Sequence, residues 1–219
     1  MKKLFSILLI LVSFAAFSQQ KVMTTGYKYI KNDVAAWSVS SGTFVNGGTF
    51  PNDYIQCNVA GVMSIPSTQA YGEWYFDFYK GNMLNLIRIG TSCLLPVAPQ
   101  DGTQTSYYIA VTSEERISLN KRIVGVLTAL NQTISSYIAN TTWYNIKITR
   151  SATGIFTTYI KGGVYGNIWT LISVSSGTNP SAADNTYTTS NYFVVDLDAG
   201  DRIANVRFEP STGYNTVIK

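Results

Sequence analysis

From about Gly26 onward, apolar and polar residues alternate in short runs, and a period of two is the mark of strands with one buried face. The alternation predicts strands over 37–41, 54–59, 73–80, 86–90, 106–111, 123–130, 143–149, 155–160, 168–173, 192–197 and 202–208. Turn-forming pairs fall between them: Gly47-Gly48, Gly81-Asn82, Asp101-Gly102, Gly162-Gly163, Asn179-Pro180 and Ala199-Gly200. No long stretch carries a helical period, and only 112–120 and 126–137 leave room for a helix. Residues 175–190 are rich in Ser, Thr and Asn without any period, so they predict a long surface loop of the kind that carries function or moves. The pattern is that of an all-β fold with its core at about 37–208, and neither a repeat nor a linker divides it.

Two stretches say more. In 73–80 the alternation puts Trp74, Phe76 and Phe78 on one face and Glu73, Tyr75, Asp77 and Tyr79 on the other. In 143–163 a run holding Trp143, Ile146 and Ile148 turns back through Phe156, Tyr159 and Ile160 to end at Gly162-Gly163, a β-hairpin. Trp74 and Trp143 are assigned to the core, where large aromatics dominate sandwich interiors.

The hairpin, with its Trp-initiated strand and Tyr-x-x-Gly ending (Tyr159 to Gly162), resembles the late hairpin of the concanavalin A-like superfamily, which includes laminin-G modules, legume lectins and family-16 glucanases. The run Ala70-Tyr71-Gly72-Glu73-Trp74-Tyr75-Phe76-Asp77-Phe78-Tyr79-Lys80 is similar to an early sheet strand of the same group. The resemblance implies a two-sheet antiparallel jelly-roll β-sandwich, a fold shared by sugar binders, glucanases and structural modules. A competing likeness lies in Asp196-Leu197-Asp198-Ala199-Gly200-Asp201-Arg202-Ile203, which looks like a turn of the tumour-necrosis-factor-like jelly rolls that typically trimerise.

The amino terminus reads as a secretory leader over residues 1–18: Lys2 and Lys3, an apolar run from Leu4 to Phe17, and small residues at Ala16 and Ser18. Residues 19–219 are then one β-sandwich domain, exported to the periplasm, the cell surface or the medium, with no stable membrane span. Loss of Lys2 and Lys3 lowers the net charge from +4 to +2, and the basic residues that remain are scattered, which argues against a nucleic-acid partner. Cys57 and Cys93 are the only cysteines, and export leaves two readings open, a disulfide or two buried thiols.

The chain has no histidine, which removes Ser-His-Asp, Cys-His and His-metal chemistry. The Glu-x-Asp-x-x-Glu strand of the glucanases is missing too, and Glu73 and Asp77 stand about 13 Å apart at the Cα atoms, too far for a glycosidase pair. The sequence is therefore read as non-catalytic. No cofactor is implied except calcium, for which Asp196, Asp198, Asp201 and the Asp184-Asn185 loop offer hard oxygen ligands, or else are solvated turn carboxylates. With 15 Tyr and four Trp the chain is well supplied with aromatic platforms. Glu73, Tyr75, Asp77 and Tyr79, with Tyr165, Asn167 and Trp169 at the rim, form the candidate ligand face. The leading expectation is a secreted module binding a glycan or cell-surface component through that face or the 175–190 loop. The alternatives are a self-associating structural subunit (surface layer, filament or virion decoration) and, last, a glucanase-like hydrolase.

Overall fold

Strand by strand, the period of two is realised: in Gly72–Tyr79 the side chains of Trp74, Phe76 and Phe78 are buried, whereas Glu73, Asp77 and Tyr79 are only half-buried. The computed structural model describes residues 28–210, and the leader reading of 1–18 lies outside the described residues. Its strands are β1 (Lys28–Tyr29), β2 (Ser38–Gly47), β3 (Tyr54–Pro66), β4 (Gly72–Tyr79), β5 (Ile87–Cys93), β6 (Ser106–Val111), β7 (Ile117–Ile123), β8 (Val126–Gln132), β9 (Trp143–Arg150), β10 (Phe156–Gly162), β11 (Thr170–Leu171), β12 (Ser176–Gly177), β13 (Tyr192–Leu197) and β14 (Arg202–Glu209). Every pairing is antiparallel, and the hydrogen-bonded order runs β11-β10-β9-β4-β14-β3-β13-β5-β6-β7-β8-β12, with β1 on β14 and β2 on β3.

The long strand β3 joins two layers. Its start, at Ile55 and Gln56, pairs with β14, and its end, from Gly61 to Pro66, pairs with β13. The core lies between the layers, where Tyr107 of β6 meets Phe156 of β10 at 4.9 Å between ring centroids and Phe193 of β13 meets Phe208 of β14 at 5.0 Å. Each fully buried aromatic or aliphatic side chain of this core contributes about 1.5–3 kcal/mol. Where β2 crosses β3, a Cβ on Gly61 would stand 2.2 Å from the Ser41 carbonyl oxygen, so only glycine admits that approach.

Three expectations need correction. The run 123–130 is not one strand: β7 and β8 form a hairpin that turns at Val124-Gly125, where Gly125 has φ +83°, a conformation that carries a penalty for any side chain. The segments left open for a helix are these same two strands and the loops beside them, because Ile117 and Leu119 have a core to fill on a period of two. The strand expected over 168–173 shrinks to Thr170–Leu171. Among the described residues no helix is long and apolar enough to cross a membrane.

The cysteines are two buried thiols, and the disulfide reading is set aside. Cys57 sits in the main core with its Sγ 3.3 Å from the Leu197 carbonyl oxygen, while Cys93 packs with Val62 and Val194 in a separate cluster. Burial pushes the Cys57 thiol up to about 11 and the Cys93 thiol higher still, so neither is a reactive thiolate near neutrality.

The loop around 175–190 is a tethered strap. Arg150, at the end of β9 and 1% exposed, donates from Nη1 to the Ala70 carbonyl (2.9 Å) and from Nη2 to the carbonyls of Asp184 (2.9 Å) and Tyr187 (2.6 Å). Asp184 in turn accepts from the Tyr107 hydroxyl (2.5 Å) and from Lys121 Nζ (2.6 Å). These donors hold the Asp184 carboxyl well below the usual carboxylate range against the opposing effect of burial.

Candidate ligand-binding face

The face of the first layer that points away from the core is built from β4, β9, β10 and β14. Register sets Glu73, Tyr75, Asp77 and Tyr79 of β4 opposite Thr149, Lys147, Asn145 and Trp143 of β9. On the other side of β4, Arg202 faces Tyr79, Arg207 faces Tyr75 and Glu209 faces Glu73. The register of β14 shifts between Ala204 and Arg207, and Asn205 there has φ +52°. This bulge inserts one residue, so the outward phase passes from even to odd positions and Asn205 is aimed over Asp77.

Asp77 is the hub. One oxygen accepts from Asn145 Nδ2 and the other from Asn205 Nδ2 at 2.7 Å. Asn205 Oδ1 accepts from the Tyr29 hydroxyl at 3.1 Å, and its backbone N–H donates to Asn32 Oδ1 at 2.7 Å. Burial raises the Asp77 carboxyl above its ordinary value, opposed by the two amide donors. Beside it, the Tyr75 hydroxyl donates to Glu73, which also pairs with Lys147 at 3.1 Å. Burial and the Glu73 bond together raise the Tyr75 phenol.

Rings and cations interleave along the face. The Arg207 guanidinium lies 3.9 Å from the Tyr75 centroid, and Trp169 meets Tyr75 edge-on at 6.0 Å. Lys161 Nζ stands 4.9 Å over Trp169. At the other end, Trp143 packs against Tyr79 (5.6 Å) and Tyr54 (5.9 Å), and Arg202 is held between those two tyrosines at 4.6 Å from each. Three clefts follow the strand direction. The first, about 290 Å³, is lined by Asp53, Asp77, Trp143 and Asn205 among others. The second, about 250 Å³, is lined by Tyr75, Asp77, Asn145, Lys161, Trp169 and Arg207. The third, about 520 Å³, lies over Glu73, Lys147, Thr149 and Tyr159. Asp77 and Asn205 line both the first and the second, and the third begins one outward residue farther along β4 and β9, so the clefts form one file of about 20 Å.

The structure thus brings Glu73, Tyr75, Asp77, Tyr79 and Trp169 together and leaves out two residues expected at the rim. Tyr165 turns inward, its hydroxyl bonded to the Tyr137 carbonyl at 2.6 Å and its ring against Tyr137 and Tyr144, because Gly162 and Gly163 fold the chain back onto β9. Asn167 is exposed and lines none of the three clefts. Trp74 is in the core, but Trp143 is half-buried on the outward face of β9. Its odd position, shared with Asn145, Lys147 and Thr149 against the buried Tyr144, Ile146, Ile148 and Arg150, carried that signal in the sequence. Lys161, Asn205 and Arg207 were missed for lack of any motif.

The calcium candidates are engaged elsewhere. Asp196 accepts from Arg88 (3.1 Å) and Gln100 (2.9 Å), and Asp198 from the Leu86 N–H (2.7 Å). Asp201 accepts from the Gly81 N–H (2.8 Å), Asn85 Nδ2 (2.8 Å) and the Asp198 N–H (3.2 Å). Asp184 is bound by the strap donors described above, and among the described residues no group of three or more His, Cys, Asp or Glu is placed to hold a metal ion. Asp198 and Asp201 fasten their own turn to the 81–86 loop, and Asp196 ties β13 to Arg88 of β5. Burial lifts Asp201 from 3.8 to about 6 against its three donors. The folded state then holds this proton more tightly than the unfolded chain, so the stability it contributes is complete below about pH 4 and lost as pH rises through about 6. An NMR titration of its carboxyl carbon is expected to show a midpoint near 6, and a midpoint below 5 would contradict the burial argument.

No family model and no curated protein matches the chain. Solved structures do match. The carbohydrate binding module CBM66 from Bacillus subtilis superimposes with a TM-score of 0.53 at 13% identity, over 82% of this chain and 97% of that one. A Bacillus licheniformis β-glucanase gives 0.52 at 13% identity over 85% and 99%, and an endo-β-1,4-glucuronan lyase from the fungus Trichoderma reesei gives 0.54 at 10% over 85% and 96%. At such identities the likeness is one of fold: this chain has the concanavalin A-like jelly-roll β-sandwich fold, and the tumour-necrosis-factor-like alternative is set aside. The reading of the chain as non-catalytic is also corrected. Two of these three proteins are enzymes by name, so the fold hosts bond-breaking, and a missing histidine and a missing glucanase motif do not exclude it.

Proposed function

We propose that this concanavalin A-like sandwich recognises a carbohydrate chain laid along the file of clefts over β4, β9 and β14. A sugar offers apolar ring faces and hydroxyl edges, so a site for it needs aromatic surfaces beside groups that both donate and accept hydrogen bonds. The observation that carries the reading is the interleaving of Trp143, Tyr79, Tyr75 and Trp169 with Asn145, Asn205, Asp77 and Lys147 along one face. The Bacillus subtilis neighbour, a carbohydrate binding module by name, supports it. A file of about 20 Å accommodates several sugar units in sequence, which favours an oligosaccharide or polysaccharide over a single sugar. Export to the cell exterior, expected from residues 1–18, would bring the protein to such polymers.

Affinity electrophoresis through gels containing soluble polysaccharides, followed by calorimetry with the matching oligosaccharide, tests the reading. At least one polysaccharide is expected to retard the protein, and Trp143→Ala is expected to weaken binding about tenfold, the worth of one aromatic contact of about 1.4 kcal/mol. Unretarded migration across neutral and acidic polymers would refute the proposal.

A further inference from the structure

The outermost long strand of the second layer is open along most of one side. β8 pairs with β7 on its inner side, and on its outer side β12 reaches only Asn131 and Gln132. Among the described residues no strand lies along the outer side of 126–130. Val126, Leu127, Thr128 and Ala129 are all exposed, so both faces of the strand meet solvent as well as its edge. Arg122, which faces Leu127 across the ladder, turns its carbonyl to the Tyr187 hydroxyl at 2.7 Å and so away from β8. Facing residues of an antiparallel ladder turn their backbone groups both inward or both outward, so the N–H and C=O of Leu127 point out along the open edge. Bare edges of this kind are templates for another strand, and proteins guard them with lysine, proline or bulges. Elsewhere in this sandwich such guards are present: β10 carries Lys161 and is partly covered by β11, and β2, which pairs with β3 alone, loses register on it three times. β8, with the sequence Val-Leu-Thr-Ala-Leu-Asn-Gln, has neither a charge nor a proline, and its one break in register comes after Ala129.

We propose that β8 is a self-association edge: two copies of this chain pair β8 with β8, antiparallel about a twofold axis near Leu127, and join their second layers into one continuous sheet. The composition of the strand selects a second copy as the occupant. A twofold axis sets each residue close to its own counterpart, where a charged strand would repel itself and a neutral, apolar one does not. Val126 and Leu127 of the two copies then cover one another, and the outward backbone groups of Leu127 gain partners. The edge is small beside the about 800 Å² per partner of a stable complex, so the pair is reversible, with a dissociation constant in the micromolar range or above. The clefts lie over β4, β9 and β14 of the other layer, so pairing leaves both copies of the ligand face open. This inference does not depend on the carbohydrate reading.

Sedimentation equilibrium from micromolar to low millimolar protein is expected to show monomer passing into dimer. Leu127→Lys is expected to raise the dissociation constant about tenfold or more, because it sets two ammonium groups beside the axis. Leu84→Lys, which changes a still more exposed leucine on the 81–86 loop, is expected to leave the constant unchanged. Melting temperatures confirm that both variants fold. Cysteine cross-linking gives a second reading. Cys57 and Cys93 are buried, so Leu127→Cys and Thr128→Cys each introduce the one accessible thiol of the chain. Antiparallel partners stand about 4.5–5.5 Å apart at the Cα atoms, within reach of a disulfide, so mild oxidation is expected to link two copies through at least one of these positions. A monomer throughout the concentration range with no cross-link at either position would overturn the proposal. So would a dimer that Leu127→Lys leaves intact, or one that Leu84→Lys weakens equally.

Discussion

Replacing Arg150 with alanine is expected to destabilise the protein by about 3–4 kcal/mol and to lower its melting temperature by on the order of 10 °C. The side chain occupies a core-phase position of β9, with its guanidinium carbon 4.5 Å from the ring centroids of Tyr71 and Tyr107 and 5.0 Å from that of Phe156. Truncation strands the carbonyls of Ala70, Asp184 and Tyr187, which lose charge-assisted donors, and removes three cation-ring contacts in a dry setting. Relief of the buried charge offsets part of this loss, which keeps the net figure below the sum of the parts. Arg150→Lys is expected to recover less than half of it, because one ammonium cannot reach three carbonyls spread around a planar fork. Urea unfolding read by tryptophan fluorescence measures both variants, and a loss below about 1 kcal/mol for Arg150→Ala would show that the strap is held by other contacts.

Tyr75→Ala is expected to weaken carbohydrate binding about 30-fold, equivalent to about 2 kcal/mol, the largest effect of any single substitution on the ligand face. Tyr75 lies between the second and third clefts, supports the Arg207 guanidinium and meets Trp169, so its removal takes away a stacking surface and loosens two neighbours. Tyr75→Phe keeps the ring and gives up only the hydroxyl bond to Glu73, and is expected to retain affinity within a few-fold. Calorimetry on the pair separates ring from hydroxyl. If Tyr75→Ala binds within twofold of the parent, the centre of the site lies elsewhere.

The period of two was enough to place β4, β6, β9, β10, β13 and β14, because each has one face in the core and a slip of one residue would expose it. The same rule placed Glu73, Tyr75, Asp77 and Tyr79 together. It was set aside for Trp143, where the general affinity of tryptophan for cores was preferred to the phase of its own strand. Two features obeyed no local rule. The bulge at Asn205 reverses the outward phase halfway along β14, so Arg207 reads as an inward residue unless the bulge is known. Arg150 sits in line with Tyr144, Ile146 and Ile148, and what makes a buried arginine tolerable there is a set of carbonyls from residues 70 to 187, far away along the chain. The β7–β8 turn was hidden for a related reason: Ile123, Val124, Val126 and Leu127 are apolar yet exposed at its tip, so hydrophobicity ran straight through a reversal of the chain.

The central claim is that the clefts over β4, β9 and β14 are where a carbohydrate lies. Amide chemical-shift mapping during titration with the tightest oligosaccharide found tests it most directly. The account predicts that the shifts concentrate at residues 73–79, 143–149, 161, 169 and 205–209, with indole signals of Trp143 and Trp169 moving and that of the buried Trp74 unchanged. Shifts confined to the outward residues of β5, β6 and β7 on the opposite layer, with both of those indoles silent, would contradict it.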